Sequence, residues 1–384
     1  MIKKIYLYIK DLDITSGGST YSVLTLMEGL EQRGYELKLI VNRRKEKEVE
    51  VHYPIISLDT KLGEFTYPYK LRKIIKEEKP DIVISNLLTQ NIALSRAKGF
   101  KRKHFDAKCI GVVRGASNYI NFGQPTKIPY RYWIKRVYSN LDCIVAVSNS
   151  VKKDLIKTFF LEENKVKVIY NPFNIEKIRE LSNEEIPKEY APIFEKHRVI
   201  ITVGRLSPQK RHDLLIKIFS NLKKKLPDIK LVIIGMCGVK EDFENEKKLK
   251  NLIKELKLEN DVYFLGFQKN PFKYVKRAKL FVLTSQHEGL PRVVVESLAV
   301  ETPVVAFKGE YVDTTEIFSK NYETLIDYLN TQKMEEKILQ ILTDNNLYEK
   351  LKKETLTFAK KFSIEKSVDN YITLMENLQK NKNC

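Results

Sequence analysis

The pattern that most constrains this chain is a run of apolar segments alternating with amphipathic ones, which breaks off midway and then begins again. Residues 2–9, 36–41, 81–85, 109–113 and 143–148 are rich in Ile and Val without polar alternation, and a helical pattern spans 21–33. Such strands are buried on both faces, as in a parallel sheet covered by helices. The pattern stops across 165–200, where a short strand at 166–170 meets Asn171-Pro172-Phe173-Asn174 and a polar, Pro-containing stretch. That composition reads as a linker. Strands then return at 198–203, 231–235, 262–267, 280–285 and 303–307, with helices at 211–225, 242–256 and from 292. The expectation is an α/β protein of two doubly wound domains. These are an N-terminal domain at 1–170, a linker at 171–197, a second domain at 198–360, and a helical tail at 361–384 that crosses back to brace the first. A length of 384 residues suits two cores of that size.

A hydrophobic share of 43% with 30% charged residues describes a globular chain able to fill both cores. Cys109, Cys143, Cys237 and Cys384 are scattered without CxxC spacing, so neither a zinc site nor a disulfide framework is expected, and a reducing compartment fits. The first apolar run is too short for a signal peptide, and no run is long enough for a bilayer span, which makes the expected location cytoplasmic or peripheral. A net charge of +19 attracts anions, but nucleic acid, acidic lipid and phosphorylated small molecules all satisfy it. Much of that excess is lysine on helix faces, where solvation alone accounts for it.

Three segments carry candidate chemistry. Ser16-Gly17-Gly18-Ser19-Thr20 lies between the first strand and the first helix, where amides and the helix dipole suit an anion; a tight turn needs the same glycines for steric reasons alone. It matches neither GxGxxG nor the GK[ST] ending of a P-loop. Gly204-Arg205-Leu206-Ser207-Pro208-Gln209-Lys210 follows a buried strand, and its two fixed cations could hold a diphosphate. A surface loop in a lysine-rich chain is the competing reading. The strongest segment is Ser285-Gln286-His287-Glu288-Gly289-Leu290-Pro291, which opens a helix carrying Glu296. The amides of Gly289 and Leu290 and the helix's positive end suit phosphate, and Pro291 suits a first helical turn. A carboxylate on the inner face of that helix requires hydrogen-bond donors, which sugar hydroxyls supply.

In this order, Gly204-Arg205 with Lys210, Glu288-Gly289-Leu290-Pro291, Glu296-Ser297-Leu298-Ala299 and Pro303-Val304-Val305-Ala306 resemble the retaining glycosyltransferases of family 4, the "glycosyl transferases group 1" domain of GT-B fold. The resemblance covers most of the second half, and the first half is similar in layout. It implies two Rossmann-like domains facing across a cleft and a hexosyltransferase-type activity on a nucleoside-diphosphate sugar, with UDP favoured. It further implies that Arg205 and Lys210 bind the diphosphate, that Glu288 touches the donor sugar near the amides of Gly289, Leu290 and Pro291, and that Glu296 grips the ribose. Gly266, Phe267 and Gln268 correspond to the loop around the base, and Gly17 and Gly18 to the turn near the donor phosphates. Retention by front-face attack needs no protein nucleophile, no cofactor and no metal. Where many relatives carry a His, this chain reads Arg114-Gly115-Ala116-Ser117-Asn118, which places Arg114 and Asn118 on the acceptor side. After the last strand the chain keeps a Gly and Glu316-Ile317 but lacks the usual glycine pair.

Residues 96–108 hold six cations and one acid, and 127–138 interleave Lys127, Arg131, Lys135 and Arg136 with Tyr130, Tyr132, Trp133 and Tyr138. That mixture suits an anionic membrane surface, with single-stranded nucleic acid and a plain solvated face as rivals. The resemblance favours a lipid-linked or cell-surface glycan acceptor and attachment at the inner face of the cytoplasmic membrane. A transferase with a small or polymeric soluble acceptor and, from another class, a basic nucleic-acid-binding protein remain the alternatives.

Overall fold

The computed structural model describes residues 2–13, 17–45, 48–59, 63–100, 103–115, 128–309, 314–318 and 322–380, with the side chains of Glu64 and Ile128 outside that set. The chain divides into two compact units, residues 1–173 with 364–384, and residues 174–363.

In the first unit the apolar runs become β1 (Lys4–Ile9), β2 (Glu36–Val41), β3 (Ile55–Ser57), β4 (Ile82–Asn86), β5 (Lys108–Val113), β6 (Cys143–Ala146) and β7 (Val166–Val168). Among the described residues they form one sheet in the order β3-β2-β1-β4-β5-β6-β7, every pairing parallel. In the central β4 every residue is buried, as a strand covered on both faces must be. The covering helices are α1 (Gly18–Glu31), α2 (Tyr67–Glu78), α3 (Leu88–Lys98), α4 (Ile128–Asn140) and α5 (Asn149–Phe159). Ser148 caps α5 by accepting from the Val151 amide at 3.2 Å.

The second unit begins with α6 (Ile175–Leu181) and α7 (Ala191–Lys196), two short helices within the stretch that reads as linker. Ile175, Ile178 and Ile193 are buried there, so its polar composition conceals a thin apolar stripe. Then follow β8 (Arg198–Val203), α8 (His212–Lys225), β9 (Ile229–Ile234), α9 (Lys240–Glu255), β10 (Val262–Phe264), α10 (Phe272–Arg277), β11 (Leu280–Leu283), α11 (Arg292–Ala299), β12 (Val304–Lys308), β13 (Leu325–Asp327), α12 (Thr331–Thr343) and α13 (Asn345–Ala359). The described strands form a second parallel sheet in the order β10-β9-β8-β11-β12-β13.

The tail expected to cross back does so as α14 (Ile364–Gln379), which belongs to the first unit and packs on α1. The Ile364 amide donates to Phe173 O at 2.9 Å and Ser367 Oγ to Tyr170 O at 3.1 Å. Cys109 and Cys237 are free and buried. Cys143 is disulfide-bonded, against the expectation drawn from scattered positions, and the remaining cysteine, Cys384, lies outside the described residues. No described helix is long and apolar enough to cross a membrane.

Strand order reverses in both sheets, between β1 and β4 in the first and between β8 and β11 in the second. At such a point the loops leaving the two strands diverge to opposite faces and open a crevice beyond the carboxyl ends, the usual ligand position in open α/β sheets.

Candidate active site

In the second unit the two loops flanking the reversal are 204–211, after β8, and 284–291, after β11. They carry Arg205, Lys210 and Glu288. Lys210 Nζ donates to Glu288 Oε1 at 2.6 Å, with the side chains 17% and 13% exposed. The aliphatic stem of Lys210 crosses Gly204, whose added Cβ would lie 3.2 Å from Lys210 Cε. The loops are also tied by backbone groups. Gln209 Nε2 donates to His287 O at 2.6 Å, the Gln286 amide to Gln209 O at 2.8 Å, and Thr284 Oγ1 to the Lys210 carbonyl at 3.0 Å. The ion pair therefore sits in a frame that does not depend on it.

Arg205 is oriented from behind. Its guanidinium lies 3.6 Å from Asp242 Oδ2, a carboxylate 1% exposed, while the Arg205 side chain is 47% exposed. Asp242 is fixed in turn by the Gly238 amide at 2.8 Å and the Val239 amide at 3.3 Å, at the start of α9. This anchored geometry leaves the outer part of the guanidinium reachable. Asp242 is a partner of Arg205 that spacing alone gave no means of finding.

The base-loop candidates follow β10. The Gly266 carbonyl accepts from the Gly235 amide at 2.9 Å, joining this loop to the end of β9. Gly235 itself faces the Gly204 carbonyl so closely that an added Cβ would stand 1.8 Å from that oxygen. Gln268 is engaged within its own loop, donating to Leu265 O at 2.7 Å and accepting from Tyr274 Oη at 3.0 Å, while Phe267 is 39% exposed.

Leu290 is buried, and Pro291 is the N-cap of α11 rather than part of its first turn, because the helix begins at Arg292. Pro291 itself offers no side-chain cap to that end. Glu296, one helical turn further, is held by Arg292 with Oε1 at 3.1–3.2 Å, both side chains 15% exposed or less. The i,i+4 spacing of that pair was visible in the sequence. The structure thus gathers Arg205, Lys210, Glu288, Gly289, Leu290, Pro291, Glu296 and the 266–268 loop into one unit. Gly17, Gly18 and Arg114 belong to the other.

In the first unit Gly17 is the N-cap of α1 at φ 73°, a conformation a β-carbon disfavours, with no atom of the described residues within 4 Å of where that carbon would stand. Gly18 is already the first residue of the helix, three positions before the expected start. Ser16 and Asn118 lie outside the described residues. Arg114, just past β5, donates through Nη2 to Asn86 Oδ1 at 2.8 Å and through Nη1 to Asn171 Oδ1. Both asparagines are buried at the carboxyl edge of the sheet. Asp11 and Asp13 stand in DxD spacing after β1, where the metal-free expectation took no such pair to exist, and the Asp13 amide donates to Asp11 Oδ1 at 3.3 Å. Among the described residues no three or more His, Cys, Asp or Glu side chains converge as a metal site.

His212, the first residue of α8, is buried with an unpartnered Nδ1. Burial, helped by the Lys210 charge, pulls its pKa down to about 3. The unfolded chain takes up a proton below about pH 6.5 that the folded unit refuses. Stability is therefore complete above that pH and falls by about 1.4 kcal/mol per pH unit toward pH 3. A His212→Leu variant should show a flatter acid limb in urea unfolding measured across that window. An unchanged slope would assign the acid sensitivity elsewhere.

The description "glycosyl transferases group 1" matches residues 183–358, and "Glycosyltransferase Family 4" matches residues 16–177. An uncharacterised glycosyltransferase of Methanocaldococcus jannaschii is 32% identical over 346 residues, covering 80% of this chain and 82% of that protein. The N-acetylgalactosamine-N,N'-diacetylbacillosaminyl-diphospho-undecaprenol 4-alpha-N-acetylgalactosaminyltransferase of Campylobacter jejuni is 33% identical over 233 residues, which span 60% of this chain and 59% of that enzyme. In fold, the chain superposes on Anabaena HepE, solved in complex with UDP and glucose, with a TM-score of 0.79 at 18% identity, covering 97% of this chain and 99% of that one.

Proposed function

From the premise that this chain belongs to the family 4, group 1 glycosyltransferases of GT-B fold, we propose that it transfers a sugar from a UDP-sugar to a lipid-linked or cell-surface glycan acceptor, with retention and without a metal ion. The observation that carries the donor half is the Lys210–Glu288 pair, held at 2.6 Å in the loop that leads into α11. An ammonium has three donor hydrogens, so Lys210 can keep Glu288 and still reach a phosphate oxygen. Arg205, braced by Asp242, supplies a second cation. The dipole of α11 adds a fixed positive end.

On this reading Glu288 orients the donor sugar through its hydroxyls. Glu296 exchanges part of its contact with Arg292 for the ribose. As the bond from the anomeric carbon to the diphosphate breaks, the acceptor oxygen bonds to that carbon on the same face and its proton passes to the departing phosphate oxygen. Arg205 and Lys210 hold the charge left on the diphosphate, an electrostatic task at a prearranged site. Arg114, fixed by two buried asparagines, would orient the acceptor.

UDP as the donor nucleotide is supported by the UDP complex of the structural neighbour, and the acceptor class by the diphospho-undecaprenol substrate in the Campylobacter enzyme's name. The test is a thermal-shift panel of UDP, GDP, ADP, TDP and CMP with chelator present, on the wild type and on Arg205→Ala and Lys210→Ala. UDP at 100 times its dissociation constant should add about 2.7 kcal/mol, and both variants should lose that gain. Stabilisation by a different nucleotide would change the donor, and stabilisation by none would remove the donor site.

A further inference from the structure

We propose that the first unit binds an oxyanion, a carboxylate or a phosphate, where β4 runs into α3, with Asn86, Gln90 and Arg114 around it. The site draws on the first unit alone. Its assignment to the acceptor, which makes that acceptor an acidic glycan, rests on the transfer reaction proposed above.

The junction of β4 and α3 buries the polar side chains of Ser85, Asn86, Gln90 and Asn91. Ser85 and Asn91 tie strand to helix. Ser85 Oγ donates to Asn91 Oδ1 at 2.7 Å, and Asn91 Nδ2 donates to Val112 O at 3.1 Å. Asn86 and Gln90 are satisfied at their oxygens only. Asn86 Oδ1 accepts from Arg114 Nη2 at 2.8 Å and Gln90 Oε1 from Thr89 Oγ1 at 2.9 Å, while Asn86 Nδ2 and Gln90 Nε2 meet no acceptor. The two residues are 2% and 1% exposed, and a buried donor left unmet costs stability. A guanidinium can only donate, so the contact with Arg114 settles that the nitrogen of Asn86 is the unmet end.

Leu87, between them, adopts φ 74° and ψ 163°, a region that is essentially glycine's alone. Strain of this kind persists where the surrounding structure enforces it, and it gathers at ligand sites. Leu87 is also the N-cap of α3 and brings no side-chain acceptor, and the first turn of that 11-residue helix has no acid. The positive end of the helix therefore adds to the same place. β4 borders the strand reversal of the first sheet, and Asn86 is its last residue.

The chemistry of the set selects the occupant. Two amide N–H2 groups and a guanidinium donate from these nitrogens and do not accept, so they call for oxygen lone pairs. Asn86 and Asn171, which brace Arg114, are neutral carboxamides that position its charge without neutralising it. Segments 85–91 and 108–115 contain no acid. A neutral sugar would leave that charge unmatched, whereas a carboxylate or phosphate meets it through charge-assisted hydrogen bonds.

Calorimetric titration with glucuronate, glucose 6-phosphate and methyl glucoside tests this on the wild type and on Asn86→Asp, Gln90→Met and Arg205→Ala. At least one of the two acidic sugars should bind, which also tells carboxylate from phosphate, and methyl glucoside should not. Asn86→Asp keeps an oxygen for Arg114 but replaces the unmet donor with an acceptor. It should bind the acidic sugar at least about 10-fold more weakly and melt at the same temperature or higher. Gln90→Met should show the same pairing of weaker binding with no loss of melting temperature. Arg205→Ala should bind as the wild type does, which separates the site from the donor diphosphate. Absence of binding by both acidic sugars, equal binding of methyl glucoside, or unchanged affinity in Asn86→Asp and Gln90→Met would each overturn the proposal. So would loss of binding in Arg205→Ala. UDP stabilisation without acidic-sugar binding overturns this site and leaves the donor reading in place. Acidic-sugar binding without UDP stabilisation keeps the site and withdraws its assignment to the acceptor.

Discussion

Replacing Lys210 with alanine is expected to lower kcat/KM for sugar transfer by about 10²–10³-fold, the usual cost of removing one prearranged group from a site of developing negative charge. The loss should fall mainly on kcat, because the charge that Lys210 meets is greatest as the diphosphate departs. A second effect accompanies it. Glu288 is only 13% exposed and would lose its cation, which should cost about 1–3 kcal/mol of stability. The double variant Lys210→Ala/Glu288→Gln distinguishes the two effects. It should regain much of the stability, since no buried charge is left unpaired, and recover none of the rate. A Lys210→Ala enzyme within threefold of wild type in kcat/KM would sink the proposed role.

Gly235→Ala is expected to be the most damaging single methyl group in the second unit. The new carbon would stand 1.8 Å from Gly204 O and 2.8 Å from Gly204 C, and the obstacle is backbone. Relief requires β8 and β9 to part at their carboxyl ends, where the Gly204 amide donates to Ile234 O and the Gly235 amide to Gly266 O, each at 2.9 Å. The expected cost is about 3 kcal/mol. For a unit of this size that is roughly 6–12 °C in Tm. Nucleotide affinity should fall as well, because Arg205 rides on the displaced strand end. Gly29→Ala is the informative contrast. Its added carbon would meet Val368 Cγ2 at 2.4 Å and Ile364 Cγ1 at 2.9 Å, atoms of stiff, buried β-branched side chains but not backbone, so relief needs only a small shift of α14 against α1, and alanine is the better helix former. Calorimetry should show a much smaller shift there. Equal shifts for the two would mean that the Gly204–Gly235 contact yields more easily than its geometry implies.

The architecture was legible because a parallel sheet writes itself as uninterrupted apolar runs. β2 and β8 have the bounds read from the sequence, and most other strands differ by a few residues. Three-residue β3 and β13 were missed, since so short a pairing depends on neighbouring strands more than on its own side chains. The segment before β8 read as linker because Pro and charge dominate it, although Ile175 and Ile178 already marked a helical stripe. In the site, the order of Arg205, Lys210, Glu288 and Glu296 was readable, and so was the i,i+4 spacing of Arg292 to Glu296, but the partners that stand far away in sequence were not. The sequence shows which residues leave the strand ends, but only the folded unit shows that Asp242 stands behind Arg205 or that Gln209 reaches the His287 carbonyl.

The return of α14 to the first unit has a consequence for biosynthesis. The first unit's described strands are all synthesised before residue 174, yet the helix that covers α1 is made only after the second unit has been synthesised. At about 5–20 residues per second, that is roughly 10–40 s during which the buried side of α1 waits for its partner. The unit encoded first is completed last, so nascent chains stalled anywhere in the second unit should expose an apolar surface on the first that a chaperone can hold.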